Sequence, residues 1–382
     1  MKIGNRKLDI GNNAANLGFA KLFLICSLTS SLSCRNEPQI TPAFYHWQTQ
    51  FSLSQKEQAY LDSLSAEKLY TKFFDIEWDA TQEMPIPLAE VEIRNWGIGE
   101  LGNRGIGSPA ASLWRPKEIV PTIFITNQTF QNLSQDKIEW LAARVDEKLQ
   151  ELWHQLPDQT LHEVQFDCDW TASTKDSFFQ FIEIFKSKNT DIQISATIRL
   201  HQIRDYKTTG VPPVDRGMLM FYNTGDVEDW QENNSILNIE IAQNYLPTSN
   251  FQLPTSKVYP MPLDIALPIF AWGVLFRDGR MIRLINNLRS EQLTDTTRFQ
   301  KMTNNRFEVT KSTYLEGYYL YQGDQIRTET IDTTLLHKAA DLIKNRLKNR
   351  DLTVAFYHLD TATIKYFPHD VLESVCEKFI SN

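Results

Sequence analysis

The stretch Val164-Gln165-Phe166-Asp167-Cys168-Asp169-Trp170-Thr171 decides how the rest of the chain is read. Side chains of an extended strand alternate between faces, so Val164, Phe166, Cys168 and Trp170 share one face while Gln165, Asp167, Asp169 and Thr171 share the other. If the apolar face packs on helices, the two carboxylates point into the interior of a sheet or barrel. An ionised group there is costly unless it is paired, hydrated or used.

The neighbouring segments repeat that logic. Aromatic and β-branched runs alternate with helical patterns from Ala43 onward, as in βα units around a parallel sheet. Seven further strands are expected: Phe44–Gln48, Leu69–Asp79, Val120–Asn127, Ile192–Arg204, Gly217–Asn223, Leu263–Phe276 and Leu352–Asp360. Between them, Ser54 and Glu57 make a capping box, a helix runs from Ser134 to Pro157, and Phe178, Phe181, Ile182 and Phe185 mark another. Ile236, Ile239 and Ile241 mark a further helix, Leu335 to Leu347 another, and Val371 to Phe379 the closing one. Eight strands predict an α/β (β/α)8 TIM barrel over 44–382, with an insertion of about 277–350 between strands seven and eight, opened by the hairpin signal Arg277-Asp278-Gly279-Arg280. A doubly wound open sheet is the alternative. The barrel is preferred because polar residues gather at the C-terminal strand ends, where barrels put their sites.

The first residues read as an address. Lys2, Arg6, Lys7 and Lys21 precede the apolar run Leu22–Leu28, and small residues lead to Cys34, so residues 1–33 read as a signal peptide, too short for a membrane span. Cutting before Cys34 resembles bacterial lipoprotein processing, with Cys34 lipidated and 34–43 a tether; Ser31 departs from the Leu usual at that position. An ordinary secreted protein is the plain alternative. Without 1–33 the chain keeps 35 Lys and Arg against 46 Asp and Glu, a net charge of −11, which argues against nucleic acid as a partner and leaves the lipid as the membrane contact. Only Cys168 and Cys376 then remain, too few for a disulfide framework, and both read as buried small hydrophobes.

Gly97, Gly99 and Gly102 match the spacing of a dinucleotide fingerprint, but further glycines and Pro109 follow where a helix is needed, so the segment reads as an active-site loop and no cofactor is expected. The barrel mouth would collect the candidate catalytic carboxylates Asp75, Glu77, Asp167 and Asp169, with His46, Asn127, Arg199, His201, Tyr222, Trp272, His358 and Asp360 as substrate-binding candidates. Paired carboxylates can supply acid, base or nucleophile for glycoside cleavage, and aromatic rings can stack on sugars. Asp167 can equally be an ion-pair partner of Arg199, and Trp47, Trp78 and Trp170 read as core.

The fourth strand resembles that of the family-18 chitinases, which carry alternating Asp, Asp and Glu there, the Glu protonating the glycosidic oxygen. Asp167 and Asp169 match the two aspartates, and Thr171 stands in place of the Glu. The chain also resembles uncharacterised glycosidase-like barrel lipoproteins of bacteria. Three functions stay open: an envelope-anchored glycosidase using Asp169 or Glu77 as acid, a non-catalytic glycan-binding or envelope-assembly lipoprotein, and a metal-dependent hydrolase using His46, Asp169, His201 and Asp360.

Overall fold

The computed structural model describes residues 39–93, 116–156, 158–246, 259–347, 349 and 351–380. Eight parallel strands carry the fold: β1 Ile40–His46, β2 Lys68–Asp79, β3 Glu118–Ile125, β4 Glu163–Asp167, β5 Gln193–Arg199, β6 Arg216–Met220, β7 Leu263–Pro268 and β8 Leu352–Tyr357. Each pairs with the next, and β8 returns to β1 in a register running from Ile40↔Leu352 to Tyr45↔Tyr357. That closing pair makes the sheet a (β/α)8 barrel and removes the open-sheet alternative, which has no β1–β8 ladder. A short strand, Met84–Leu88, folds back antiparallel on the end of β2.

Sequence signals place the helices on the outside. In α1 (Gln55–Ser63), the Ser54 hydroxyl accepts from the Glu57 amide while the Glu57 carboxylate accepts from the Ser54 amide, so the capping box forms as spaced. The apolar sides of α2 (Ile138–Trp153), α3 (Lys175–Lys188), α4 (Thr333–Ile343) and α5 (His369–Ile380) are buried. Phe166 of β4 meets Phe181 and Phe185 of α3 edge-on at 5.1 and 4.9 Å, and Trp170 stacks on Phe178 at 5.2 Å. Trp170 also donates from its indole to the Thr209 carbonyl at 2.9 Å, so the apolar face of the quoted stretch is core. Cys168 and Cys376 are both buried free thiols, pushed up by burial, Cys376 to about 12.

Several boundaries differ from expectation. β1 begins at Ile40, inside the stretch expected to be tether, and β4 ends at Asp167. β5 ends at Arg199, where the chain turns into the short helix Leu200–Arg204 carrying His201. The apolar run after Leu263 is two elements. β7 stops at Pro268, and Trp272–Arg277 opens a separate antiparallel sheet, because a hydrophobic run does not reveal where a strand changes sheets.

That second sheet is the insertion. Its strands lie in the order Arg280–Asn286, Trp272–Arg277, Gln325–Glu329, Arg306–Val309 and Phe299–Lys301, over a separate core that includes Leu275, Ile285, Leu288, Phe307 and Ile326. Asp278 and Gly279 both have positive φ, 49° and 73°, as the two-residue hairpin turn requires. The helix expected at the end of the insertion, α4, packs into the barrel core through Leu336, Ala339, Ala340 and Ile343.

A buried ion pair faces the loop after β6. Arg327 and Glu329, with side chains fully shielded, meet at 2.6 Å. Glu329 also accepts from the Ser235 amide, the Ser235 hydroxyl and the Trp272 indole at 2.8, 2.7 and 2.8 Å, while Arg327 donates to the carbonyls of Val227 and Asp229. Every charge is thereby satisfied, the condition for burying one.

Candidate functional site

The barrel is filled from the bottom by polar side chains in mutual contact. Tyr45 of β1 donates across the interior to Gln165 of β4 at 2.6 Å, which identifies Gln165, and by alternation Asp167, as inward. Below them Glu163 takes Lys68 at 2.6 Å and the Ser195 hydroxyl at 2.5 Å, and Asp264 faces Arg216 at 2.6 Å. Burial pushes Asp264 up to about 6 despite Arg216. These groups lie toward the N-terminal strand ends, the stability face of such barrels.

At the opposite end Asp167 is only 5% exposed, and one of its two oxygens is held twice. Its Oδ1 accepts from the Thr197 hydroxyl at 2.5 Å and from the Arg199 guanidinium at 2.8 Å. Burial acts against the Arg199 charge, but Asp167 and the neighbouring Tyr222, Asp169 and Tyr45 hold its pKa above the ordinary arginine value. The ion pair between Asp167 and Arg199 that the sequence allows is formed.

Asp75 reaches the same interior by a β-bulge. Opposite β3 the register of β2 jumps between Lys72 and Phe74, so Lys72 pairs with Thr122 and Asp75 with Phe124. The extra residue lets Phe73 pack outward against Trp153 of α2 at 6.1 Å and returns Asp75 to the face that carries Lys72. Lys72 Nζ then lies 2.6 Å from Asp75 Oδ2, while Oδ1 is buried without a hydrogen-bond partner. Burial pushes the Asp75 carboxyl up, aided by Glu77 and Asp167 and opposed by Lys72. Glu77 itself is exposed.

Asp169 lies beyond the strand and is 55% exposed, with His201 Nε2 at 3.2 Å. Burial raises its pKa, but His201 and Arg199 outweigh burial and hold the carboxyl below the ordinary range. Thr171, where the resemblance would place an acid, bonds within its own loop to Ser173 and Thr174. Asn127 accepts from Thr174 at 2.6 Å, fastening the loop after β4 to the end of β3.

Aromatic rings complete the mouth in a continuous arc. Trp47 meets Tyr357 at 6.0 Å, Tyr357 meets Tyr222 at 5.4 Å, Tyr222 meets Phe270 at 5.8 Å, and Phe270 meets Trp272 at 5.2 Å. Lys72 lies 5.8 Å from the Trp47 ring. Lys72, Tyr357 and Phe270 are additions to the residues the sequence singles out, and Trp47, half-buried, packs against the core as expected while also reaching Tyr357. The available signal is parity: Trp47 shares the inward face of Tyr45, and Lys72 shares that of Tyr70.

Three expected binding residues lie elsewhere. His46 follows the parity of Phe44, which meets Tyr60 of α1 at 6.0 Å, so His46 faces the helix layer and stands edge-on to Phe51 at 5.1 Å. Burial, reinforced by His358, lowers His46 to about 4. His358 Nδ1 lies 3.3 Å from Asp360, and Asp360 caps the helix Thr361–Ile364 by accepting from the Thr363 amide at 2.7 Å and its hydroxyl at 2.8 Å. Alternation along β1 turns His46 away from the mouth that Tyr45 faces. Among the described residues no three His, Cys, Asp or Glu side chains form a metal-ligating group, so His46, Asp169, His201 and Asp360 do not converge as the metal reading requires. Cys34 and the Gly97–Gly107 segment lie outside the described residues. No described helix is long and apolar enough to cross a membrane.

No protein-family model and no curated protein matches the chain. Among solved structures, the spore cortex-lytic enzyme SleL of Bacillus cereus aligns at a TM-score of 0.48 and 12% identity, over 90% of this chain and 75% of that one. A chitinase from Bacteroides thetaiotaomicron aligns at 0.47 and 10%, over 89% of this chain and 97% of that one. The xylanase and amylase inhibitor protein XAIP-III aligns at 0.39 and 11%, over 89% and 97% respectively. The likeness is distant and concerns the course of the chain. The strand pairing by itself makes this protein a (β/α)8 barrel with an antiparallel insertion after β7.

Proposed function

We propose that the barrel mouth binds a carbohydrate without hydrolysing it, and that lipid on Cys34 holds the protein at the cell envelope. The observation that carries the first half is the pairing of the fourth-strand acids. Asp167 is tied to Arg199 and Thr197, Asp169 is kept ionised beside His201, and the third position is Thr171. Glycoside cleavage needs a carboxylic acid that holds its proton near the leaving oxygen. Carboxylates held by a guanidinium or an imidazole serve instead as acceptors for sugar hydroxyls, and the half-buried Trp47, Tyr357 and Trp272, unlike the buried Tyr222 and Phe270 between them, offer apolar ring faces.

One observation favours hydrolysis instead. The buried Asp75 carboxyl is pushed up, and its Oδ1 is unpartnered. The two readings separate in one experiment, in which N-acetylglucosamine oligomers, the substrate class implied by the fourth-strand resemblance, are titrated calorimetrically and then incubated with the protein and chromatographed. Saturable binding with unchanged oligomers supports the binding mouth. Shortened oligomers, abolished by Asp75→Asn, support the hydrolase. The envelope half rests on the basic residues, the short apolar run and Cys34, and is tested by mass spectrometry of the mature protein from cells carrying wild type or Cys34→Ala. A diacylglyceryl-modified N-terminal cysteine in wild type alone is the expected result.

A further inference from the structure

The insertion carries an aromatic surface unrelated to the mouth. Tyr314, Tyr318, Tyr319 and Tyr321 are 70, 36, 44 and 52% exposed. The hairpin that bears them pairs Tyr314 with Tyr319 and Thr313 with Leu320. Alternation therefore turns Leu320 into the insertion's core and Tyr314 and Tyr319 outward, with Tyr321 following Tyr319. Tyr319 meets Tyr314 at 4.9 Å and Tyr321 at 5.0 Å, making one continuous ridge. Arg277 lies 4.3 Å from the Tyr321 ring and Arg283 the same distance from that of Tyr318.

Charge narrows the partner. Trp272–Glu329 carries nine Lys and Arg against seven Asp and Glu, a net +2 within a chain of net −8. Arg277 is neutralised by Asp324 at 2.7 Å. Arg280, Arg283, Lys301 and Lys311 are exposed, and none has a carboxylate partner among the described residues. Outward rings and phenol hydroxyls match the apolar faces and hydroxyls of sugars, while unpaired cations match carboxylates that the rest of this acidic surface repels.

We infer that this tyrosine ridge binds an acidic polysaccharide, a polymer of uronate-type sugars, independently of the barrel mouth. The test uses the full chain with polygalacturonate as probe and dextran as neutral control, by calorimetry at about 0.05 M and about 0.5 M salt. Polygalacturonate is expected to bind in preference to dextran and to weaken at high salt. Tyr319→Ala combined with Tyr321→Ala, both exposed on the ridge, should reduce that binding at least about 10-fold while leaving circular dichroism and N-acetylglucosamine oligomer binding as in wild type. The inference is overturned if polygalacturonate does not bind, if dextran binds equally, or if the double variant binds like wild type. A sedimenting dimer that dissociates in Tyr319→Ala also overturns it, since the ridge would then join two copies of this chain.

Discussion

Arg199 holds Asp167 inside the barrel, with the guanidinium 2.8 Å from Oδ1, and Thr197 closes on the same oxygen at 2.5 Å. The same carboxylate oxygen thus accepts from a hydroxyl and from a permanent cation. Removing one partner strands the other in a poorly hydrated interior, so Arg199→Met should destabilise by about 3–5 kcal/mol. Adding Asp167→Asn to Arg199→Met should recover much of that loss in urea unfolding. A loss below about 1 kcal/mol for Arg199→Met would mean that the pair is solvated like a surface bridge.

The aromatic arc sets the expected ligand contacts. Trp272→Ala and Tyr357→Ala should each weaken N-acetylglucosamine oligomer binding about 10-fold, close to 1.4 kcal/mol. Trp140, 38% exposed on α2 and outside the arc, serves as the control. It lines a groove of about 290 Å³ with Met84, Pro85 and Pro87 on the outer face, so Trp140→Ala should leave that affinity unchanged. Equal losses in all three variants would contradict the mouth as the binding surface.

Glu329 joins the insertion to the loop after β6 and to Trp272. Glu329→Ala leaves Arg327 buried and unpaired, at a cost of about 3–5 kcal/mol. Cleavage by protease should appear first between Gly225 and Ile236, a span that otherwise hydrogen-bonds to this pair, and Trp272 fluorescence should shift to the red. A variant with wild-type melting and an uncut loop would remove the pair's structural role.

His46 gives a pH dependence of definite sign. Its folded pKa, about 4, lies below the ordinary 6.5, so between those values the unfolded chain binds the extra proton and stability falls as pH falls. Asp264, raised to about 6, acts oppositely: it loses stability as pH rises from its ordinary value through 6. His46→Gln should therefore gain on wild type by up to about 1.4 kcal/mol per pH unit on acidification below 6.5, measured by urea midpoints. Parallel pH profiles for the two proteins would show that His46 titrates normally.

Much of this fold was legible because strand periodicity and capping are local. The Ser54–Glu57 box, the Phe178–Phe185 stripe and the Arg277–Arg280 turn each carry their own signal. The mouth was legible in part. Alternation around Asp167 placed it correctly with Arg199, but a strand's sequence does not mark its end, which left His201 on a helix and split Leu263–Phe276 between two sheets. The bulge at Phe73 changes parity midway along β2, and closure of the barrel decides that Trp47 and Tyr357 become neighbours. Both are consequences of three-dimensional pairing, absent from any local window.

Chromatography of N-acetylglucosamine oligomers after prolonged incubation with saturating protein tests the central claim most directly. A binding mouth with paired acids predicts oligomers of unchanged length, together with affinity weakened about 10-fold in Trp272→Ala. Release of shorter oligomers by wild type, but not by Asp75→Asn or Asp169→Asn, would contradict it.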